Sequence, residues 1–288
     1  MLYFAGLIGL FLLIPASQKL EGWDPGYPLL IGNEATLDRP WLGKIFFVAL
    51  YDRVLTADEI QVAFRGGPSF SAEVDLRGAP IVLYPFQERG GTRVHDRSLI
   101  GVPLDLEIAG PQQATWLPEG GLELTGPTVL RSSTKPEKIY HRFTATHSFS
   151  VVAWIEPKDG LQVGPARMLS FSLNPTLRNF TLDQEGSEVH FRVRTRLAGP
   201  NGTRLELRTK GLGLSPKPTH VAVTYDRGTE QLYINGVLFE SLPAQNGLTI
   251  IARVLKLNPA SRWQMGLLVM LLLGPVGGGC WLVLTPSR

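Results

Sequence analysis

The chain of 288 residues contains a single cysteine, Cys280, which lies inside an apolar run. This excludes an internal disulfide and any zinc site built from several cysteines. Net charge is also small, because 28 Lys and Arg residues are set against 25 Asp and Glu residues. The chain lacks the basic clusters interleaved with aromatics that are typical of nucleic-acid-binding proteins, and we expect no nucleic-acid partner.

The chain also lacks recognisable catalytic motifs. No HExxH pair, no G-x-S-x-G elbow and no phosphate-binding glycine loop is found. Two pairs of acids are the nearest candidates for acid–base chemistry: Asp105 with Glu107, and Asp58 with Glu59. The first pair lacks a third acid and flanking aromatics, and the second lies in the first turn of a predicted helix. We expect no catalytic residues; the alternative is a polysaccharide hydrolase or lyase.

Long apolar runs are found only at the two chain ends. No Lys, Arg, Asp or Glu lies between Arg262 and Arg288, and a membrane-spanning helix needs about 20 apolar residues. We therefore predict a transmembrane helix over residues 263–284. Residues 1–18 are predicted to be a cleaved signal sequence or an uncleaved anchor, and both alternatives stay open. The distribution of Lys and Arg does not decide the membrane topology.

The middle of the chain has the pattern of an all-β protein. Short apolar runs alternate with turn residues, and the chain has 31 Gly and 22 Pro. Apolar residues on both parities in Phe149–Ile155 predict a strand covered on both faces. Arg227-Gly228 and Asn235-Gly236 predict two tight hairpin turns. One short helix is predicted after Thr56, whose side chain and Glu59 form a capping box.

Several runs resemble laminin-G-like jelly-roll domains of the concanavalin A-like lectin/glucanase superfamily, in particular a bacterial subgroup. They include "RPWLGKIFFVALYDRVLTADEI", "TATHSFSVVAWIEP", "THVAVTYDRGTEQLYINGVL" and "GPARMLSFSLNPTLRNFTLDQEG". The resemblance covers most of residues 23–240. It implies a two-sheet antiparallel jelly-roll sandwich with one short helix, and a module that binds carbohydrate or a protein partner.

The order of these runs differs from that of the family. The segment that closes the family domain comes first here, and the segment that opens it follows a linker. We predict a circularly permuted sandwich; the alternative is the remnant of an upstream copy. The predicted division is a signal, anchor or transmembrane helix (1–18), closing strands and capped helix (23–67), linker (68–79), main body of the sandwich (80–250) and transmembrane helix (263–284).

A series of arginines is the best candidate for ligand binding. Alternation in "EVHFRVRTRL" places Arg192, Arg194 and Arg196 on one strand face, and Arg204 and Arg208 are predicted on the next strand. The loop between them contains Asn201. This basic face is suited to an acidic glycan or anionic headgroups. The alternative is a solvated sheet face with cross-strand ion pairs to residues such as Glu206.

Many relatives implied by the resemblance hold a structural calcium ion. In this chain phenylalanines occupy the strand position where the family carries an acid. Asp96 is the one weak calcium candidate, and a single carboxylate makes a poor calcium site, so calcium is doubtful. No other cofactor or metal is expected.

The main hypothesis is a membrane-anchored, non-catalytic recognition module in a bacterial cell envelope, with an extracytoplasmic sandwich. Its expected partners are a glycan or an envelope or membrane protein, together with membrane lipid through the terminal helices. The alternative is an accessory structural domain of a larger membrane protein, since similar bacterial domains are coupled to VanZ-like membrane regions.

Overall fold

The structure, a computed structural model, describes residues 18–68, 78–211 and 213–244. Within these ranges the chain forms sixteen strands in two antiparallel sheets, two α-helices and one turn of 3-10 helix, Pro111–Gln113. The helices are α1 (Ala57–Arg65) and α2 (Glu137–Thr146). The strands are β1 (Leu29–Ile31), β2 (Gly43–Tyr51), β3 (Val82–Tyr84), β4 (Arg93–Val94), β5 (Leu106–Ile108), β6 (Ala114–Trp116), β7 (Leu122–Leu124), β8 (Leu130–Ser132), β9 (Ser148–Pro157), β10 (Gln162–Asn174), β11 (Leu177–Gly186), β12 (Glu188–Val193), β13 (Glu206–Arg208), β14 (Thr219–Asp226), β15 (Thr229–Ile234) and β16 (Val237–Leu242).

Strands from the first part of the chain lie inside both sheets. The first sheet has the order β13-β12-β11-β10-β1-β8-β5-β4, and the second has the order β16-β15-β14-β9-β2-β7-β6, with β3 also pairing to β2. β1 therefore joins β10 to β8, and β2 joins β9 to β7. The predicted two-sheet antiparallel sandwich is confirmed. That its strand order is a permutation of the family's order stays a prediction.

The core between the sheets is filled by alternate residues of the long strands. Phe149 of β9 contacts Phe180 and Phe191 of the first sheet, with ring centroids 5.4 and 6.2 Å apart. Val152 and Trp154, at positions of the opposite parity in β9, lie on its other side, in an apolar cluster with α1. β9 is thus covered on both faces, as its sequence predicts.

Gly43 shows why the first residue of β2 must be glycine. Its φ is +143°, and a Cβ there would lie 2.3 Å from the carbonyl oxygen of Glu156 on β9. Only a residue without a side chain allows the two backbones to approach this closely.

The predicted capped helix is confirmed as α1. Thr56 accepts a hydrogen bond from the Glu59 backbone, and the Glu59 side chain accepts one from the Thr56 backbone. Arg53 donates two further bonds to the Glu59 carboxylate, 2.8 and 2.9 Å long. Ile60 and Ala63 are buried against the second sheet, so the helix forms a third layer on its outer side.

A second helix, α2, is a feature that the sequence interpretation missed. It begins after Pro136 and buries Ile139 and Phe143, four residues apart and hence on one face. The Phe143 ring stacks on Phe149, with centroids 4.5 Å apart. The helix ends at His147, which has a left-handed conformation (φ 55°).

No helix in the described ranges is long and apolar enough to cross a membrane. The predicted segments 1–18, apart from Gln18, and 263–284 lie outside the described residues, as does most of the predicted linker, 68–79.

Candidate functional site

Two of the arginines predicted to bind a ligand share one acidic partner. The pairing of β12 with β13 places Arg192 opposite Glu206. The buried Arg192 guanidinium forms an ion pair with the Glu206 carboxylate, and the exposed Arg208 forms another. The sequence offered cross-strand pairing with Glu206 as an alternative, and this pairing is present. It gives both guanidinium groups an anionic partner within the sheet.

The other three arginines do not lie on strands, so the predicted common strand face is wrong for them. β12 ends at Val193, and β13 begins only at Glu206. The strand ends because the backbone turns: the Gly199 amide donates to the Thr195 carbonyl, at 2.9 Å. We call Arg194, Arg196 and Arg204, which lie on this connecting segment, the arginine rim.

The side chains of the arginine rim are partly or fully exposed. Arg196 and Arg204 are exposed, and Arg194 is half-buried beside Gly22. None of the three forms an ion pair with any residue of the described ranges. That these arginines bind a ligand stays a prediction.

Asn201 lies on the same connecting segment, between Arg196 and Arg204. It is half-buried, and its side-chain oxygen is buried without a hydrogen-bond partner in the described part of the chain. Its role as a ligand contact also stays a prediction.

Beside the rim, the outer side of the first sheet carries two rows of polar residues. Phe180, Leu182 and Phe191 fill the core, so the alternate positions of β11 and β12 face outward. Strand register sets the outward residues side by side across β10, β11, β12 and β13: the first row is Arg167, Asp183, His190 and Arg208, and the second is Ser170, Thr181, Arg192 and Glu206.

Arg167, at one end of the first row, lies between two carboxylates. Its Nη1 lies 2.9 Å from Asp183 Oδ2, and its Nε lies 3.3 Å from Glu34 Oε2. Ser172 donates its hydroxyl to the other Glu34 oxygen, at 2.6 Å. All four side chains are buried. Such a cluster is tightly held only while every charge keeps its partner.

Arg178 is a buried cation that forms no ion pair with the residues that the structure describes. Its guanidinium donates to Thr181 Oγ1 and to the Pro175 carbonyl, while its Nε has no partner within the described ranges. Burial, together with repulsion from Arg167 and Arg192, lowers the pKa of Arg178 to about 9.

His190 lies among four carboxylates. Its ring nitrogens are 3.3 to 3.7 Å from oxygens of Glu206, Glu188, Glu185 and Asp183. Burial opposes ionisation of Glu206, but His190, Arg192 and Arg208 outweigh it and lower the pKa of Glu206 to about 2. This carboxylate thus contacts charged or titratable side chains of both β12 and β13.

The acid pairs considered for catalysis have structural partners. Asp105 accepts a bond from the Asp96 amide at 3.0 Å, and its other oxygen lies 3.1 Å from His95 Nδ1. Glu107 forms an ion pair with Arg93. The second pair, Asp58 and Glu59, belongs to α1, and Glu59 is the acid of its capping box. The hydrogen bond from Arg53 is the largest of the causes that lower the pKa of Glu59 to about 2.

Asp96, the weak calcium candidate, does not fit a calcium ion. The Lys138 ammonium forms an ion pair with its Oδ2, and the same carboxylate accepts bonds from the amides of Leu83, Ser98 and Leu104. A lysine therefore already lies where a cation would bind. In the described residues, no group of three or more His, Cys, Asp or Glu side chains has a geometry that could hold a metal ion.

The sequence interpretation missed Glu34, Arg167, Asp183 and His190. One local signal was available, because polar residues alternate with apolar ones in "FTLD" as they do in "EVHFRVR". The register that sets these residues side by side joins distant segments, and no local pattern encodes it.

Residues 133–253 match a laminin-G family model described as the concanavalin A-like lectin/glucanases superfamily. The match spans less than half of the chain and begins before α2. Domains of this concanavalin A-like kind are generally carbohydrate- or protein-binding modules, although the superfamily also includes glycosidases. A comparison with curated proteins finds no match.

Proposed function

We propose that this chain is a membrane-anchored, non-catalytic recognition module of a cell envelope, which binds a partner bearing acidic groups through the arginine rim. The observation that carries the proposal is the set of three rim guanidinium groups that form no ion pair within the described ranges, on a sandwich with a partial match to concanavalin A-like domains. A planar guanidinium matches a carboxylate, sulfate or phosphate by paired hydrogen bonds, so these side chains suit an acidic glycan or the acidic surface of an envelope protein.

The anchors in this proposal are the predicted apolar segments 1–18 and 263–284, with the sandwich outside the cytoplasm. Residues 23–67 would be the displaced closing segment of a permuted domain. The central positions of β1 and β2 in their sheets support that origin, because they join strands that would otherwise be separate.

The experiment uses the full chain in nanodiscs of phosphatidylcholine, which carries no net charge. Binding to hyaluronan and to heparin, compared with neutral dextran, would be measured by surface plasmon resonance. We expect binding to the acidic polymers alone, and its loss in the Arg194→Gln, Arg196→Gln, Arg204→Gln triple variant. The matched control removes three exposed arginines elsewhere, by Arg89→Gln, Arg97→Gln and Arg131→Gln. Equal binding by both triple variants would contradict the role of the rim.

One observation favours the second candidate, an accessory domain of a larger membrane protein. Among the described strands β16 lies at the edge of its sheet, and Val237, Leu238 and Phe239 are exposed. An apolar edge of this kind is suited to a protein partner. Co-purification of a membrane protein that is lost with Leu238→Lys, but kept in the rim variant, would support this candidate.

A further inference from the structure

The first described residue, Gln18, connects the two sheets at one end of the sandwich. Its amide donates to the Arg227 carbonyl at 3.1 Å, in the turn between β14 and β15. Its backbone carbonyl accepts the Tyr225 hydroxyl. Its side-chain oxygen accepts a bond from Thr195 Oγ1 at 3.1 Å, next to the arginine rim. The N-terminal entry of the chain into the sandwich is therefore fixed beside Arg194 and Arg196.

The last described strand ends at the same place. β16 runs antiparallel to β15, and Leu242, its last residue, is paired with Glu230 at the start of β15. Glu230 lies just after the turn that binds Gln18. We call this end of the sandwich the chain-end face; it comprises segments 18–24, 194–204 and 226–227, together with the end of β16.

The chain-end face has an excess of positive charge. Its three segments hold five cations and three acids: Lys19, Arg194, Arg196, Arg204 and Arg227 against Glu21, Asp24 and Asp226. The end of β16 adds one exposed acid, Glu240, so the cations still outnumber the acids. None of the five cations forms an ion pair within the described ranges. Lys19 and Arg227 are close enough to His147 that, after burial, their charges are the main causes that lower its pKa.

We propose that the chain-end face lies on the membrane surface, where the arginine rim binds phosphate groups of anionic lipid headgroups. The inference rests on the proposed function, because it requires the apolar segments to be anchors. The segment 1–18 ends at Gln18, inside this face, whereas residues 245–262 separate Ala244 from the segment 263–284. An anchor that ends at Gln18 would bring this face, not its opposite end, close to the bilayer. Each basic side chain near an anionic surface strengthens attachment about fivefold. Three rim arginines would together contribute roughly a hundredfold.

This inference narrows the ligand of the rim to a membrane component, and a soluble acidic glycan becomes the competing outcome. Hydrogen exchange of segment 194–204 separates the two. The full chain would be placed in nanodiscs of phosphatidylcholine alone or of phosphatidylcholine with an equal share of phosphatidylglycerol. We expect exchange at least several-fold slower in the anionic discs, and we expect the difference to vanish at 1 M salt, where the Debye length is about 3 Å.

The triple variant at Arg194, Arg196 and Arg204 should lose this lipid-dependent slowing, whereas the control at Arg89, Arg97 and Arg131 should keep it. Equal exchange in both kinds of disc would overturn the inference, even if hyaluronan or heparin still bound and the proposed function stood. Slowing in anionic discs without polymer binding would support the headgroup inference and remove the soluble-glycan ligand. A chain that fails to float with phosphatidylcholine vesicles would overturn the anchoring on which both depend.

Discussion

Trp23 donates its indole N–H to the backbone carbonyl of Arg194 at 2.9 Å, across 171 residues of sequence. The Trp23 ring is buried among Phe143, Phe149 and Phe180, with centroids 5.8 to 6.2 Å apart. A residue near the start of the described chain thus fixes both the central aromatic core and the arginine rim.

Replacing Trp23 by alanine should destabilise the whole sandwich. Truncating a buried Trp costs about 3–5 kcal/mol in the free energy of unfolding, because packing is lost and a cavity remains. The Arg194 carbonyl also loses its donor. Urea unfolding followed by circular dichroism measures the change. The control is Trp116→Ala, at a half-buried position on the edge strand β6, which should cost much less. Equal costs would show that the N-terminal segment is not part of the core.

Lys138→Met should be costly because it leaves a buried carboxylate without a counterion. The Asp96 side chain is fully buried, and its main cationic partner is the Lys138 ammonium. Breaking a buried pair from one side costs about 3–5 kcal/mol in the free energy of unfolding. Lys135→Met, at an exposed lysine three residues earlier, should change stability by less than about 0.5 kcal/mol. If the two variants unfold at the same urea concentration, this role of Lys138 is wrong.

Arg167→Met tests whether the first polar row is a structural charge cluster. The substitution leaves Glu34 and Asp183 buried without the cation between them, and we expect a loss of about 3–5 kcal/mol in the free energy of unfolding. Arg131→Met, at an exposed position on β8, is the matched control. A small effect at Arg167 would mean that the carboxylates find other partners or take up protons.

His220 should make the sandwich less stable in acid. Burial between Phe64 and Trp154 lowers the pKa of His220 to about 3. A group whose pKa falls on folding stabilises the native state above its unfolded pKa of about 6.5, and that contribution is lost as the pH falls toward 3. Between these two pKa values, the uptake of one proton on unfolding lowers the free energy of unfolding by up to about 1.4 kcal/mol per pH unit.

Urea unfolding at a series of pH values between 7 and 4 would measure this loss. We expect His220→Leu to flatten the dependence, and His141→Leu, at an exposed histidine, to leave it unchanged. Parallel curves for all three proteins would refute the assignment to His220.

Local sequence signals predicted the local features of the fold. The two hairpin turns are present, with positive φ at Arg227 and Asn235 and at the glycines that follow them. The capping box of Thr56 and Glu59 also formed as predicted, since all its partners lie within one turn of helix. α2 was missed because proline and several polar residues conceal the short spacing of Ile139 and Phe143.

The candidate site could be predicted only in part, because its geometry depends on long-range register. Cross-strand ion pairs to Glu206 were the alternative that the sequence offered, and Arg192 forms such a pair, since both residues lie on recognisable strands. The alternation that placed Arg194 and Arg196 with Arg192 assumed that β12 continued. It ends at Val193, because the chain turns between Thr195 and Gly199, and the Arg194 carbonyl accepts the Trp23 indole N–H. Trp23 comes from a distant segment, and nothing in "VRTRL" itself indicates this contact.

The central claim is that β2, from the first part of the chain, belongs to the same cooperative sandwich as β9. Native-state hydrogen exchange of the full chain at increasing urea measures this most directly, because amides that open only by global unfolding share one opening free energy. We predict that the amides of Val48 and Leu50 on β2 converge with those of Val151 and Ala153 on β9 and open at the global free energy. Exchange of the β2 amides at a clearly lower free energy, while β9 stays protected, would contradict the account.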